Sequence, residues 1–154
     1  MKLIFRYYMD YRDSKIARME TESGIPLNIF ADDGSDRTLS DGTECDLQVF
    51  GMGNGIRVFS SEEEYSAEET QFAPISMIPS GTFPSEDGEE SPHIIFSGKA
   101  ANVEYDPNAD QNQPNYCITI DTYDLSFCLF VKYEGAIEKG NIVSGEAWLY
   151  TDIK

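Results

Sequence analysis

From His93 onward, hydrophobic and polar positions alternate almost without interruption. HIIFSGKAANVEY reads as one strand with Gly98 at a bulge or bend. YCITIDTY and SFCLFVKY read as two strands joined across Asp124-Leu125, and IVSGEAWLYTDI as a final strand carrying Trp148. The polar stretch DPNADQNQPN is a long loop, and EGAIEKGN a short connector. Upstream the pattern is less regular. Leu3, Phe5, Tyr7 and Met9 alternate as in a strand, but residues 11–20, with Tyr11, Ile16 and Met19 and no Gly or Pro, read better as a short helix. Gly24 and Pro26 end it, and the polar residues 31–44 form a loop.

Leu47 and Val49 on one side of GMGNG, and Ile56 and Val58 on the other, predict a hairpin over 45–60. Both central residues of a type I′ turn need positive φ, and Asn54-Gly55 tolerates it. Ser61 with Glu64 three residues on is a capping box, and acids in a first turn complement the helix dipole. A short acidic helix over 62–70 follows, with Tyr65 as its inward anchor. Residues 71–85 hold three prolines among apolar residues and predict an extended, partly buried connector. The solvated loop 86–91 then separates an N-terminal elaboration, 1–85, from a barrel core, 93–154, within a single domain of 154 residues.

The strand IIFSGKA, the hairpin YCITIDTYDLSFCLFV and the closing KGNIVSGEAWLY resemble an OB-fold barrel. The connector IPSGTF and this plan are together similar to small bacterial barrel proteins of uncharacterised type. The resemblance implies five strands, of which residues 93–154 supply four, so the 45–60 hairpin is expected to complete or cover the barrel. The expected fold class is mainly β: a small OB-like barrel with an N-terminal α/β elaboration and one or two short helices. The positions expected inside are Leu47, Val49, Ile56, Val58, Ile78, Ile94, Phe96, Val103, Ile118, Ile120, Phe127, Leu129, Val131, Val143, Trp148 and Tyr150. If Trp148 is buried, its replacement by Ala costs about 3–5 kcal/mol.

Charge sharpens this picture. The net charge is −17, and residues 32–92 hold fifteen acids against Arg37 and Arg57. Such a field repels phosphate and anionic lipid and attracts cations or basic proteins. Hydrophobic residues make up 40% and aromatics 12%, enough for a packed core, so disorder of the whole chain is not expected. Arg6 and Asp10 interrupt the first apolar run, so no signal peptide is expected, and no apolar run is long enough to span a membrane. Three cysteines, Cys45, Cys117 and Cys128, fit reduced thiols in a cytoplasmic protein.

Few motifs carry chemistry. GMGNG lacks the spacing and the following helix of a phosphate loop and reads as a turn. Asp106-Pro107-Asn108-Ala109-Asp110 begins like a calcium loop, but Gln111 and Cys117 stand where Gly and Glu belong. Any Ser–His or Cys–His device would have to use His93, the single histidine, which reads as a plain strand-edge residue. Cys117 and Cys128 read as small buried apolar side chains. Facing each other across the hairpin they could oxidise in air, though cross-strand geometry usually disfavours it. Carboxylate pairs are too abundant among 28 acids to mark a hydrolase. Aromatics for stacking nucleotides are present, but the basic groove is not, so no nucleic-acid or membrane partner is expected. No catalytic, metal or cofactor site is legible.

The functional expectation is a non-enzymatic acidic protein that docks a basic protein surface, as immunity proteins and nuclease inhibitors do. Its contact residues would be Asp32, Asp33, Asp36, Glu62, Glu63, Glu64, Glu68 and Glu69. The alternative is an OB-like barrel that binds a small molecule or peptide through its aromatics. A carboxylate-dependent hydrolase is a more remote third reading.

Overall fold

The computed structural model describes residues 1–12, 14–31, 39–68, 72–83 and 89–151. Its strands are β1 (Lys2–Tyr11), β2 (Ser14–Glu20), β3 (Pro26–Ala31), β4 (Glu44–Asp46), β5 (Val49–Phe59), β6 (Ser76–Ile78), β7 (His93–Tyr105), β8 (Tyr116–Asp121), β9 (Ser126–Val131) and β10 (Ile142–Thr151). One short helix, α1 (Glu62–Glu68), follows β5, and a 3-10 turn spans Ser80–Thr82. The protein is mainly β, as the alternation predicts.

Five strands close a barrel in the order β5-β9-β8-β7-β10, with β10 returning to β5. β7, β8 and β9 form an antiparallel meander. β10 is antiparallel to β7 and to β5, and β5 runs parallel to β9, from Phe50 opposite Cys128 to Met52 opposite Phe130. This closed mixed barrel is compatible with an OB-like architecture, and residues 45–60 do provide its fifth strand. They do so differently from expectation. No hairpin forms at Asn54-Gly55; β5 is continuous through it. Gly55 has φ +65°, and the β5–β10 register shifts beside it, so the positive φ is spent on a bulge within one strand. The alternating glycines have an interior cause. A Cβ on Gly51 would stand 3.1 Å from the Phe127 ring, and one on Gly53 2.9 Å from a Leu129 methyl. β5 therefore carries no side chain at these two inward positions, where its neighbour's residues already fill the barrel.

The helix expected over 11–20 is also overturned. β1 and β2 form an antiparallel hairpin with Tyr11 opposite Ser14, and Arg12 takes φ +55° in the connection. A helix this short is marginal alone, whereas strand pairing buries Ile16, Ala17 and Met19 completely. β4 pairs with the start of β1, and β3 joins the barrel by a short parallel pairing, Tyr150 opposite Phe30 and Thr151 opposite Ala31. One apolar cluster runs from Leu3, Phe5, Met19, Leu27 and Ile29 into barrel residues Ile94, Ile118, Leu129 and Leu149.

Three other expectations hold. α1 starts where the capping box places it: Glu64 N–H donates to Ser61 Oγ at 3.1 Å, and the Ser60 N–H donates back to the Glu64 carboxylate at 2.7 Å. Tyr65 is its buried anchor, edge-on to Phe59 at 5.1 Å. The connector, over 72–83, is largely half-buried and irregular apart from β6 and the 3-10 turn. Of the expected core, Trp148 lies outside, 37% exposed, and Ile56, Val58, Ile78, Val103 and Tyr150 are only half-buried. On β10 the inward residues are Val143, Ala147 and Leu149, which turns Trp148 and Tyr150 outward.

Candidate functional site

The outer face of the barrel is built by that alternation. Val49, Gly51 and Gly53 point inward, so β5 presents Phe50 and Met52 outside. Phe127, Leu129 and Val131 point inward, so β9 presents Cys128 and Phe130. β10 presents Glu146, Trp148 and Tyr150. The register then aligns them: Phe50 lies opposite Tyr150, and Met52 opposite both Trp148 and Phe130. The result is a row of rings across four strands. Phe130 stacks on Phe50 at 6.0 Å and Phe50 on Tyr150 at 5.3 Å. Phe30, paired with Tyr150 across the β3–β10 junction, stacks on Trp148 at 6.0 Å. Tyr11 closes the row edge-on, 5.6 Å from Phe30 and 6.0 Å from Trp148.

Trp148 sits where β7 leaves the flank of β10 and β3 takes its place. His93 flanks it edge-on at 6.4 Å. The Ser80 hydroxyl lies 2.5 Å from His93 Nδ1 and also reaches the His93 carbonyl at 3.2 Å, so it ties the 3-10 turn to the start of β7. Glu146 Oε2 is 3.6 Å from His93 Nε2 and is half exposed. The Ser80 contacts hold the histidine against Trp148. A hydroxyl shared with a main-chain carbonyl and a carboxylate beyond hydrogen-bond reach do not make an activated nucleophile.

Cations of the chain already cover the outlying rings. Arg12 lies 5.1 Å over Tyr11, Arg18 5.5 Å over Tyr7, Lys15 5.9 Å over Tyr8 and Arg57 5.1 Å over Phe59. Among the described residues, no lysine or arginine lies over Phe30, Phe50, Phe130, Trp148 or Tyr150. An open cleft of about 630 Å³ adjoins this face, lined in part by Asp46, Gln48, Thr119, Ser126 and Cys128.

The acidic residues singled out from sequence are distributed differently. Glu62, Glu63, Glu64 and Glu68 share α1. Glu64 is held by Ser60, whose hydrogen bonds lower its pKa, and Glu68 pairs with Arg57 at 3.1 Å. Glu62 and Glu63 are exposed. Asp32, Asp33, Asp36 and Glu69 lie outside the described residues. Asp41, Glu44 and Asp46 precede β5 and Glu62 follows it, so roughly 30 Å of strand separates the two acidic groups. Asp41 pairs with Arg6 at 3.1 Å and Glu90 with Arg18.

The loop that begins like a calcium site uses its first carboxylate on itself: Asp106 accepts the Asn108 N–H at 2.9 Å. Among the described residues, no three His, Cys, Asp or Glu side chains are grouped to hold a metal ion, and no helix is long and apolar enough to cross a membrane. Sequence reasoning missed the ring row because it assigned Trp148 and Tyr150 to the interior. The signal was present in the small inward partners, Gly51, Gly53 and Ala147, that alternate with Phe50, Met52 and Trp148. No protein-family model matches the chain, and no curated protein or solved structure matches it either.

Proposed function

We propose that this protein is a non-enzymatic binding module that docks a basic polypeptide segment on the outer aromatic face of its barrel. The carrying observation is the row Phe130–Phe50–Tyr150–Phe30–Trp148, turned outward on one face with Trp148 exposed and the other four rings half-buried, and free of the chain's own cations among the described residues. Lysine and arginine suit it in two ways. Their aliphatic stems pack on ring faces, and their charged heads gain about 0.5–2 kcal/mol per ring from cation–π attraction. The charge of −17 steers such a partner in and repels phosphate, which argues against nucleic acid. Glu146 on the same face supplies a local counter-charge, and Glu62 and Glu63 of α1 add to the field. This use of negative charge is immunity- or inhibitor-like, and the OB-like barrel also binds ligands on a strand face. Reduced thiols and an anionic surface fit work in the cytoplasm.

Trp148 is the only tryptophan and stands on this face, so its fluorescence reports occupancy directly. Titration with a Lys/Arg-rich peptide at low salt is expected to shift the emission saturably. The response weakens in raised salt and disappears for a Glu-rich peptide of the same length. An emission unmoved by the basic peptide overturns the proposal. Equal responses to an uncharged aromatic ligand and to the basic peptide favour the small-molecule alternative.

A further inference from the structure

Cys117 and Cys128 do not sit in the core. Both point outward from the β8–β9 hairpin and are half-buried, with their Sγ atoms 2.6 Å apart. The register explains the meeting. Cys117 lies opposite Phe130 and Cys128 opposite Thr119, so the cysteines occupy a diagonal, and the twist of an antiparallel pair shortens one diagonal. A covalent S–S bond is about 2.05 Å long, so a small rotation of two side chains closes the remaining gap. Cys128 also lines the 630 Å³ cleft, which gives a reagent a way in. Cys45, the third thiol, lies on β4.

We infer that Cys117 and Cys128 are a dithiol modification site, oxidised reversibly to a cross-strand disulfide by low-molecular-weight disulfides. The thiolate of Cys128 attacks one sulfur of the reagent, forms a mixed disulfide and expels one thiolate. Cys117, losing its proton to solvent, attacks Cys128 Sγ and expels the second thiolate. Two electrons pass from the protein to the reagent, which leaves as two thiols. Burial and the Glu104 charge disfavour the Cys117 thiolate, so the second step is the slow one at neutral pH. In the cytosol such bonds are transient and redox-sensing rather than structural. Because Cys128 is in register with Phe50, and Cys117 with Phe130, oxidation fixes the edge of the ring row. That last consequence rests on the docking reading; the disulfide itself does not.

Folded protein is incubated with oxidised glutathione, alkylated with iodoacetamide and mapped by mass spectrometry. The expected product is a monomer lacking two hydrogens, with Cys117 linked to Cys128, Cys45 alkylated, and the bond reversed by dithiothreitol. Its Tm is expected to rise, because the cross-link restricts the unfolded chain. Cys117→Ser is expected to accumulate the glutathione adduct on Cys128. A mixture with both thiols alkylated, a bond to Cys45, or an intermolecular dimer overturns the assignment. Peptide titration of the oxidised protein is a separate readout: an unchanged affinity with the cross-link present counts against the coupling and leaves the site standing.

Discussion

Trp148 stacks on Phe30 with ring centroids 6.0 Å apart and only 19° between their planes. The two residues come from β10 and β3, whose ladder pairing spans just two residue pairs. The stack therefore seals the point where the N-terminal strands join the barrel, on its outer side, while 37% of Trp148 stays in contact with solvent.

Trp148→Ala is accordingly expected to destabilise the fold by about 2 kcal/mol, from partial burial and lost ring pairs, rather than the larger cost of a core tryptophan. Urea denaturation followed by far-UV circular dichroism measures this. The same variant should lose most of its affinity for a basic peptide, read by calorimetry since the fluorophore is gone. A loss of stability as large as 4 kcal/mol would return Trp148 to the core.

Asn28, two residues before Phe30 on β3, ties that strand to the 3-10 turn and to the segment before β7. It is 2% exposed, donates from Nδ2 to the Ser91 and Gly81 carbonyls at 3.1 and 3.2 Å, and accepts from Arg18 Nε at 2.7 Å. Asn28→Ala leaves these groups without partners and is expected to cost about 2–3 kcal/mol. Asn28→Asp turns a carboxylate toward two carbonyls and Glu90. It is expected to be worse at neutral pH and to recover relative to wild type as acid protonates it. Parallel denaturation curves for the two variants at neutral and mildly acidic pH check the pattern.

Gly98 marks the sharpest approach between β7 and β8. A Cβ there would stand 2.6 Å from an Ile120 methyl and 2.7 Å from the Asp121 main-chain oxygen. Gly98→Ala is expected to cost about 1–3 kcal/mol through forced backbone movement. Gly24→Ala is the contrast, since space around it is open and only its φ of +88° resists. Its cost is expected near 1 kcal/mol. Thermal melts that rank the two in the opposite order would contradict the barrel packing.

The reduced protein should weaken in alkali. Cys117 is raised from 9.0 to about 12, first by burial, then by Cys128 and Glu104. A group whose folded pKa is raised stabilises the native state below its unfolded value and loses that contribution as pH climbs through the folded one. Stability should therefore fall between pH 9.0 and about 12. Tyr150, also raised by burial and by the two thiols, adds to the fall. Cys117→Ala is expected to show a shallower decline in the urea midpoint over this window.

Much of the fold could be read from the residues in order. The four strands after His93, the Asp124-Leu125 connection, the capped helix and its Tyr65 anchor are all local features, each set by alternation, turn chemistry or a hydrogen bond a few residues long. The β1–β2 hairpin and the course of β5 were not. Residues 14–20 suit a short helix or a strand about equally in isolation, and pairing with β1 decides. Asn54-Gly55 asks only for a positive φ, which a hairpin turn and a bulge both satisfy. Pairing with β10 on both sides of it, from Val49 to Phe59, kept the strand continuous through the bulge.

The same division governs the candidate site. Alternation alone specifies that Phe50 and Met52 share a face, and likewise Trp148 and Tyr150. A period of two does not say which face is inside. That was decided when the barrel closed on Phe127 and Leu129, leaving room for glycine and alanine but not for an indole. Closure depends on contacts between residues tens of positions apart, and packing volume at those contacts has no signature in any single segment.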